Sequence, residues 1–286
     1  MPAPSLHAQP FIKDAPRDIA GWMLLFDVQQ LPVLASSAAI LNELVLVEDR
    51  VDAHMLSESV ANDPLLTLRL LAHVAELRRG REGGEPETVT EALVMLGISP
   101  FFRAFEGVGS AEQQLQDRPQ ALAGFSRVLQ RSHRAARFAI GFAAHRMDHD
   151  AAVIHEAALL HDFAELLLWL KAPTLALQIC LRQQADPTLR SAAVQQELLH
   201  VRIADLQHAL MKRWRLPALL VRITDGQSSK LTDQVRNVQL AIRIARHSAQ
   251  GWDNAALPDD IREVAELLHL GVEPATRLLH EIDLED

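Results

Sequence analysis

Three side chains in the second third of the chain have the types and spacing of a divalent-metal site. His161 and Asp162 are adjacent within the apolar stretch 154–169, which the sequence predicts to be one helix with the pair in its middle. His133 lies earlier, on the apolar face of another predicted helix, since Leu129, Ala136 and Ile140 recur around it at helical spacing. Two facing helices would bring these three side chains together.

The Asp162 carboxylate needs a compensating partner, and the identity of that partner decides the function. Burying an unpaired carboxylate costs several kcal/mol. Imidazole and carboxylate groups are suitable ligands for a divalent metal. The alternative is a hydrogen-bonded His–Asp pair without a metal, and the residue types alone leave both possibilities open.

The order of His133 followed by His161-Asp162 resembles the HD superfamily of metal-dependent phosphohydrolases. The resemblance implies that His133, His161 and Asp162 would be ligands if a metal is bound, together with an Asp on a later helix. At the best local match, Ile242–His247, Arg246 stands where that Asp is expected. A guanidinium repels a metal cation and can bind a carboxylate through two parallel hydrogen bonds. The sequence therefore predicts a degenerate site that Arg246 closes, without a metal.

Other residues could still supply the missing ligand, because the alignment in this region is open. Asp225 and Asp233 are the alternative candidates. If neither acts, Asp162 is predicted to be held by protein groups, in a hydrogen-bond network with His133 and His161.

Several further motifs resemble one branch of this superfamily, the HDOD domain. They are Leu31-Pro32, the run 61–71 around Asp63-Pro64, the run 91–97 that ends at Gly97, and Trp214-Arg215-Leu216-Pro217. The Asp63-Pro64 pair also reads as a helix start, and Thr88 with Glu91 reads as a capping box. The resemblance covers about 31–217 and implies an all-α, two-lobed helical bundle that is usually non-catalytic.

Features of the related HD-GYP phosphodiesterases are missing. Those enzymes carry His-Asp-x-Gly-Lys, whereas this chain has Glu165 at the position of the Lys. A carboxylate there would repel an anionic substrate. The Gly-Tyr-Pro motif cannot be present, because the chain contains no tyrosine.

The sequence suggests three parts. Residues 1–23 form an N-terminal tail, 24–225 form the HDOD-type domain, and 226–286 form a helical C-terminal extension. Within the domain, the predicted N-terminal lobe spans 24–107, a connector spans 108–125, and the HD-like lobe spans 126–225. Strand patterns are absent throughout.

Composition narrows the classes of function. The net charge of −9 argues against a general nucleic-acid binder. The single cysteine excludes an intrachain disulfide and fits the cytoplasm. No run approaches the length of a membrane span, and the N-terminus lacks a signal-peptide pattern.

The resemblance thus predicts a non-enzymatic, cytoplasmic signalling or regulatory module that needs no cofactor and acts through contacts with other signalling proteins. Two alternatives stay open. One is a metal-dependent phosphohydrolase acting on a nucleotide or cyclic dinucleotide, and the other is a non-catalytic sensor with a nucleotide ligand. The oligomeric state is not predicted.

Overall fold

The computed structural model describes residues 11–80, 84–186, 188–224 and 232–284, and every regular element within these ranges is a helix, which confirms the all-α prediction. Two 3-10 helices, Val28–Gln30 and Val45–Arg50, accompany the α-helices. The α-helices are α1 (Ile19–Leu25), α2 (Ala35–Leu44), α3 (Ala53–Val60), α4 (Pro64–Leu77), α5 (Val89–Leu96), α6 (Ile98–Phe105), α7 (Ala111–Leu115), α8 (Pro119–Arg146), α9 (Ala151–Leu159), α10 (Phe163–Lys171), α11 (Pro173–Ala185), α12 (Ser191–Leu199), α13 (Ile203–Trp214), α14 (Ala218–Thr224), α15 (Asp233–His247), α16 (Leu257–Leu268) and α17 (Val272–Leu284).

The helices form two compact units. The first takes its described residues from 1–126 and 163–215, and the second from 127–162 and 216–286. The second unit has its own core, to which α8, α9 and α14 to α17 contribute buried residues such as Phe142, Ile154, Val238, Leu267 and Leu279. The helices after 225 therefore share a core with α8 and α9 and do not form a separate extension. This division differs from the predicted boundary at 225/226, because buried apolar residues of α15 to α17 belong to the same core cluster as those of α8, α9 and α14.

The predicted helix starts in the first unit are confirmed. Asp63 caps α4 by accepting hydrogen bonds from the backbone N–H groups of Leu65 and Leu66, both at 2.9 Å, and Pro64 occupies the first turn. Thr88 caps α5 by accepting from the Glu91 N–H at 3.2 Å. The Glu91 carboxylate reaches back to the N–H of Glu87 at 2.8 Å, one residue before the cap.

The predicted single helix over 154–169 is wrong at its centre. Helix α9 ends at Leu159 and α10 begins at Phe163, so His161 and Asp162 lie in the turn between them. The His161 N–H bonds to the Ala158 carbonyl, a tightening typical of a last helical turn. Aspartate competes with the helical backbone for hydrogen bonds and favours the residue before a helix start. The turn thereby frees the Asp162 carboxylate for other partners.

Two further boundaries differ from prediction. The predicted connector 108–125 contains α7 and the first turns of α8, which begins at Pro119, where a proline is well tolerated. The sequence also favours one helix over 190–212, but the chain is divided there at His200, whose φ of 61° is left-handed and ends α12.

No single helix of the described ranges has the length and apolar character to cross a membrane. The run Ala151–Lys171 and the helix Pro173–Ala185 would reach that length and composition only as a bent pair.

A close contact between α8 and α10 in the first unit gives a test of the packing. A Cβ atom at Gly124 would lie 2.4 Å from two ring atoms of Trp169, which is 4% exposed and has no room to move away. We expect the overpacking in Gly124→Ala to lower the free energy of unfolding by about 1–3 kcal/mol. Replacing a glycine within a helix by alanine offsets up to about 1 kcal/mol of this loss, because alanine has the higher helix propensity. Urea denaturation measures the difference.

The control is Gly271→Ala, whose added Cβ would meet only Pro274 at an ordinary contact distance of 3.5 Å. Equal unfolding midpoints for the two variants would contradict the described contact with Trp169.

Candidate functional site

The centre of the candidate site is the Asp162 carboxylate in the turn after α9. Its Oδ2 accepts a hydrogen bond from Arg131 Nε at 2.6 Å, and its Oδ1 lies 2.9 Å from His161 Nδ1. Arg246 Nη2, from the last turn of α15, lies 3.7 Å from Oδ1. All four residues belong to the second unit. Both carboxylate oxygens therefore face protein donors.

The surroundings of Asp162 favour its charged form. Only 12% of its side chain is exposed, and this burial alone raises the pKa of the carboxyl. The hydrogen bond with His161 and the charges of His161, Arg131 and Arg246 outweigh the burial and hold the pKa of Asp162 well below its usual range. The group is thus a carboxylate at any neutral pH, and its charge is compensated within the protein.

Arg246 lies beside Asp162, where the sequence placed it, but it is the weaker of the two arginine partners. At 3.7 Å it is an ion pair without a hydrogen bond, and 52% of its side chain is exposed. Arg131 is closer and only 20% exposed. Sequence reasoning missed Arg131, although Arg127, Arg131 and Arg134 recur at the spacing of one face of α8. This helical spacing of arginines was the sequence signal from which the role of Arg131 could have been predicted.

His133 is not among the partners of Asp162 in the part of the chain that the structure describes. It lies half-buried on α8, and its charge acts on His155 of α9. Burial, and then the charge of His133, lower the pKa of His155. In the predicted network around Asp162, His161 is a partner of the carboxylate, and Arg131 is a further partner that the sequence did not indicate.

The site residues, as folded, do not fit the divalent metal that the superfamily resemblance implies. Among the described residues, no group of three or more His, Cys, Asp or Glu side chains is arranged to hold one. The Asp162 oxygens that would be ligands already face Arg131, Arg246 and His161. A metal cation entering there would meet two guanidinium groups at close range.

Of the two alternative ligands, Asp233 is engaged elsewhere. Asp233 begins α15 and pairs with Arg146 Nη2 at 2.8 Å, and the hydrogen bond from Arg146 lowers the pKa of Asp233. Asp225 lies outside the described residues. Glu165, at the position of the phosphate-binding Lys of the phosphodiesterases, lies in the first turn of α10 in the first unit.

Solved structures of similar fold come from bacterial proteins. MmoQ, a response regulator from Methylococcus capsulatus strain Bath, has a TM-score of 0.67 and 22% identity, over 88% of this chain and 98% of that one. A virulence factor from Campylobacter jejuni subsp. jejuni has a TM-score of 0.62 and 17% identity, over 90% and 91%. At these identities the likeness shows the fold alone. No curated protein matches this chain by sequence.

The profile of the HDOD domain matches residues 31–229, which is most of the chain. The match begins at Leu31, includes the helix start at Asp63-Pro64, and extends past the His161-Asp162 turn. This chain is therefore a member of the HDOD domain family.

Proposed function

We propose that this protein is a non-catalytic signal-transduction or regulatory module of the cytoplasm, and that it acts through contacts with other proteins. The observation that supports this is the pairing of Asp162 with Arg131 and Arg246. A carboxylate that is already neutralised by two guanidinium groups is a poor metal ligand, and HD-type hydrolysis depends on a metal-activated water. Glu165 adds a negative charge to the motif where the phosphodiesterases have a cation.

The competing function is a metal-dependent phosphohydrolase acting on a nucleotide or cyclic dinucleotide. It would require His133, His161 and Asp162 to rearrange around a metal. That rearrangement would have to move Arg131 away from Asp162, breaking a charge-assisted hydrogen bond of 2.6 Å.

The first test is for metal and hydrolysis together. We expect the purified protein to hold no stoichiometric Fe, Mn or Zn by elemental analysis, and to show no turnover of cyclic di-GMP when Mn²⁺ or Fe²⁺ is added. Turnover that depends on the added metal, disappears in Asp162→Ala and persists in Asp253→Ala would overturn the proposal. Asp253 is the matched control because it is an exposed aspartate of the same unit.

The second test separates a structural Asp162 from a metal ligand. Removing one partner of a buried charge pair costs about 3–5 kcal/mol, because the other charges are left unpaired. The half-exposed Arg246 retains water, so we expect the low end of that range, about 3 kcal/mol, for Asp162→Ala in metal-free protein. Denaturant unfolding after chelation measures the loss.

The control for this variant is again Asp253→Ala, which should change stability by less than about 0.5 kcal/mol. Asp150 is a less clean control, because it accepts a hydrogen bond from Gln234 Nε2 at 2.6 Å. An unchanged or raised midpoint for Asp162→Ala would instead support a vestigial or active metal site.

The pH dependence follows from the same pairing. Because the pKa of Asp162 is lowered in the folded protein, its contribution to stability is present above the pKa of the unfolded chain, about 3.9. The contribution is lost as the pH falls further. The difference in stability between wild type and Asp162→Ala should therefore shrink below about pH 4.

One observation favours a second candidate, a non-catalytic sensor of nucleotides. The Arg246 guanidinium is half exposed and, within the described residues, has only the ion pair at 3.7 Å with Asp162. Arg131 and Arg246 together carry two positive charges against the one negative charge of Asp162. A planar guanidinium with unused donors suits a phosphate oxyanion.

This candidate has its own test. We expect millimolar inorganic phosphate to raise the melting temperature more than chloride of equal ionic strength, and Arg246→Gln to remove the difference. Arg236→Gln is the matched control, since Arg236 lies on the same helix and also makes only a long ion pair, 3.9 Å from Glu266. Equal phosphate effects in the two variants would exclude Arg246 as the anion site.

A further inference from the structure

The turn that follows α2 exposes three consecutive apolar side chains. Val45, Leu46 and Val47 belong to the 3-10 helix Val45–Arg50 and are 42%, 83% and 37% exposed. The turn is kinked at Val47, whose φ of −128° and ψ of 30° are not helical. Exposure of all three means that this turn projects from the body of the first unit.

The projection is held at both ends. The Val45 N–H bonds back to the Leu41 carbonyl at the end of α2, and the Val51 N–H bonds to the Glu48 carbonyl at 3.2 Å. Val51 itself is buried, at 8% exposure. The apolar side chains are therefore presented by an ordered turn, which lowers the entropy that a partner must remove on binding.

Acidic side chains surround the apolar ones in sequence. Glu43 precedes them and Glu48 and Asp49 follow, against one cation, Arg50. In the described part of the chain, no hydrogen bond or ion pair engages the carboxylate of Glu43, Glu48 or Asp49. The net negative charge of this segment is therefore not neutralised within the protein.

We propose that this acidic apolar turn, Val45–Arg50 with Glu43, is a docking site for a protein segment that carries apolar side chains flanked by Lys or Arg. The proposal rests on the proposed function, since a module without chemistry of its own acts by contact. Leu46 supplies the apolar anchor. The three carboxylates supply charge complementarity, which favours a basic partner and disfavours other classes.

The negative charge of the turn argues against other classes of binding partner. Nucleic acid and anionic lipid surfaces would be repelled by the three carboxylates. A second copy of this chain that used the same turn would place these carboxylates against their own equivalents, which is unfavourable. A protein segment with basic and apolar side chains is the class of partner that matches both the exposed apolar residues and the negative charge of the turn.

The test uses two synthetic peptides with the full-length protein. The first is an amphipathic helix of about 16 residues made of Leu and Lys, and the second has Glu in place of Lys. Fluorescence anisotropy measures the Kd. We expect the Lys peptide to bind and the Glu peptide not to bind. Both Leu46→Ser and the triple variant Glu43→Gln/Glu48→Gln/Asp49→Asn should weaken binding about tenfold or more.

The matched control is Leu181→Ser in the same unit, where a leucine that is 53% exposed lies next to Arg182 instead of acidic residues. It should leave the Kd within about twofold. All the substituted side chains are exposed or half-exposed, and the melting temperature of each variant checks that it folds.

Equal affinity of wild type and Leu46→Ser, or equal binding of the Lys and Glu peptides, would overturn the proposal. Sedimentation in which Leu46→Ser dissociates a dimer would overturn it in favour of a second copy. The proposed function fails separately, through metal-dependent hydrolysis, so the two results are distinguishable.

Discussion

A carboxylate that is almost buried must be compensated, and the arrangement of the second unit around Asp162 meets this requirement. Arg131 comes from α8, Arg246 from the end of α15, and His161 from the same turn as Asp162. Helix α8, the end of α15 and the turn after α9 are distant in sequence and thus meet at the Asp162 carboxylate. The turn between α9 and α10 carries both Asp162 and its partner His161.

The same compensation limits the chemistry of the site. A metal and a guanidinium compete for the same lone pairs, and each excludes the other by like charge. In this chain the guanidinium groups already lie against both oxygens, one of them with a short hydrogen bond. In the folded chain the His161-Asp162 pair therefore lies against cations of the protein.

The sequence allowed prediction of features that depend on local rules. The caps at Asp63 and Thr88 follow from residue types at fixed offsets, and the helical class follows from periodicity. The position of Arg246 beside Asp162 followed from a motif. The break at His161 could not be predicted, because no glycine or proline interrupts the apolar pattern there. Arg131 was missed because its role depends on which face of α8 meets the turn, and that is fixed by packing between distant segments.

The HDOD motifs of the first unit have a structural explanation of their own. Asp63 accepts not only the N–H groups of its own helix but also that of Leu34, at 2.7 Å. Arg69, one and a half turns later, donates to the Leu31 carbonyl at 3.0 Å and to the Ala104 carbonyl at 3.2 Å. The Asp and the Arg of the motif thus bind the two ends of the Leu31–Leu34 segment, whose centre is held by backbone hydrogen bonds of Val33 with Gly109 and Ala111.

These contacts explain why Leu31-Pro32 and the Asp63-Pro64 helix occur together in one pattern. The segment needs an acceptor at one end and a donor at the other, and α4 supplies the acceptor from its cap and the donor from its second turn. The Asp63 carboxylate and both terminal nitrogens of the Arg69 guanidinium are thus used to hold backbone. A match to these motifs consequently identifies a fold, and the activity has to be argued from the charges around Asp162 and from the surfaces that the fold exposes.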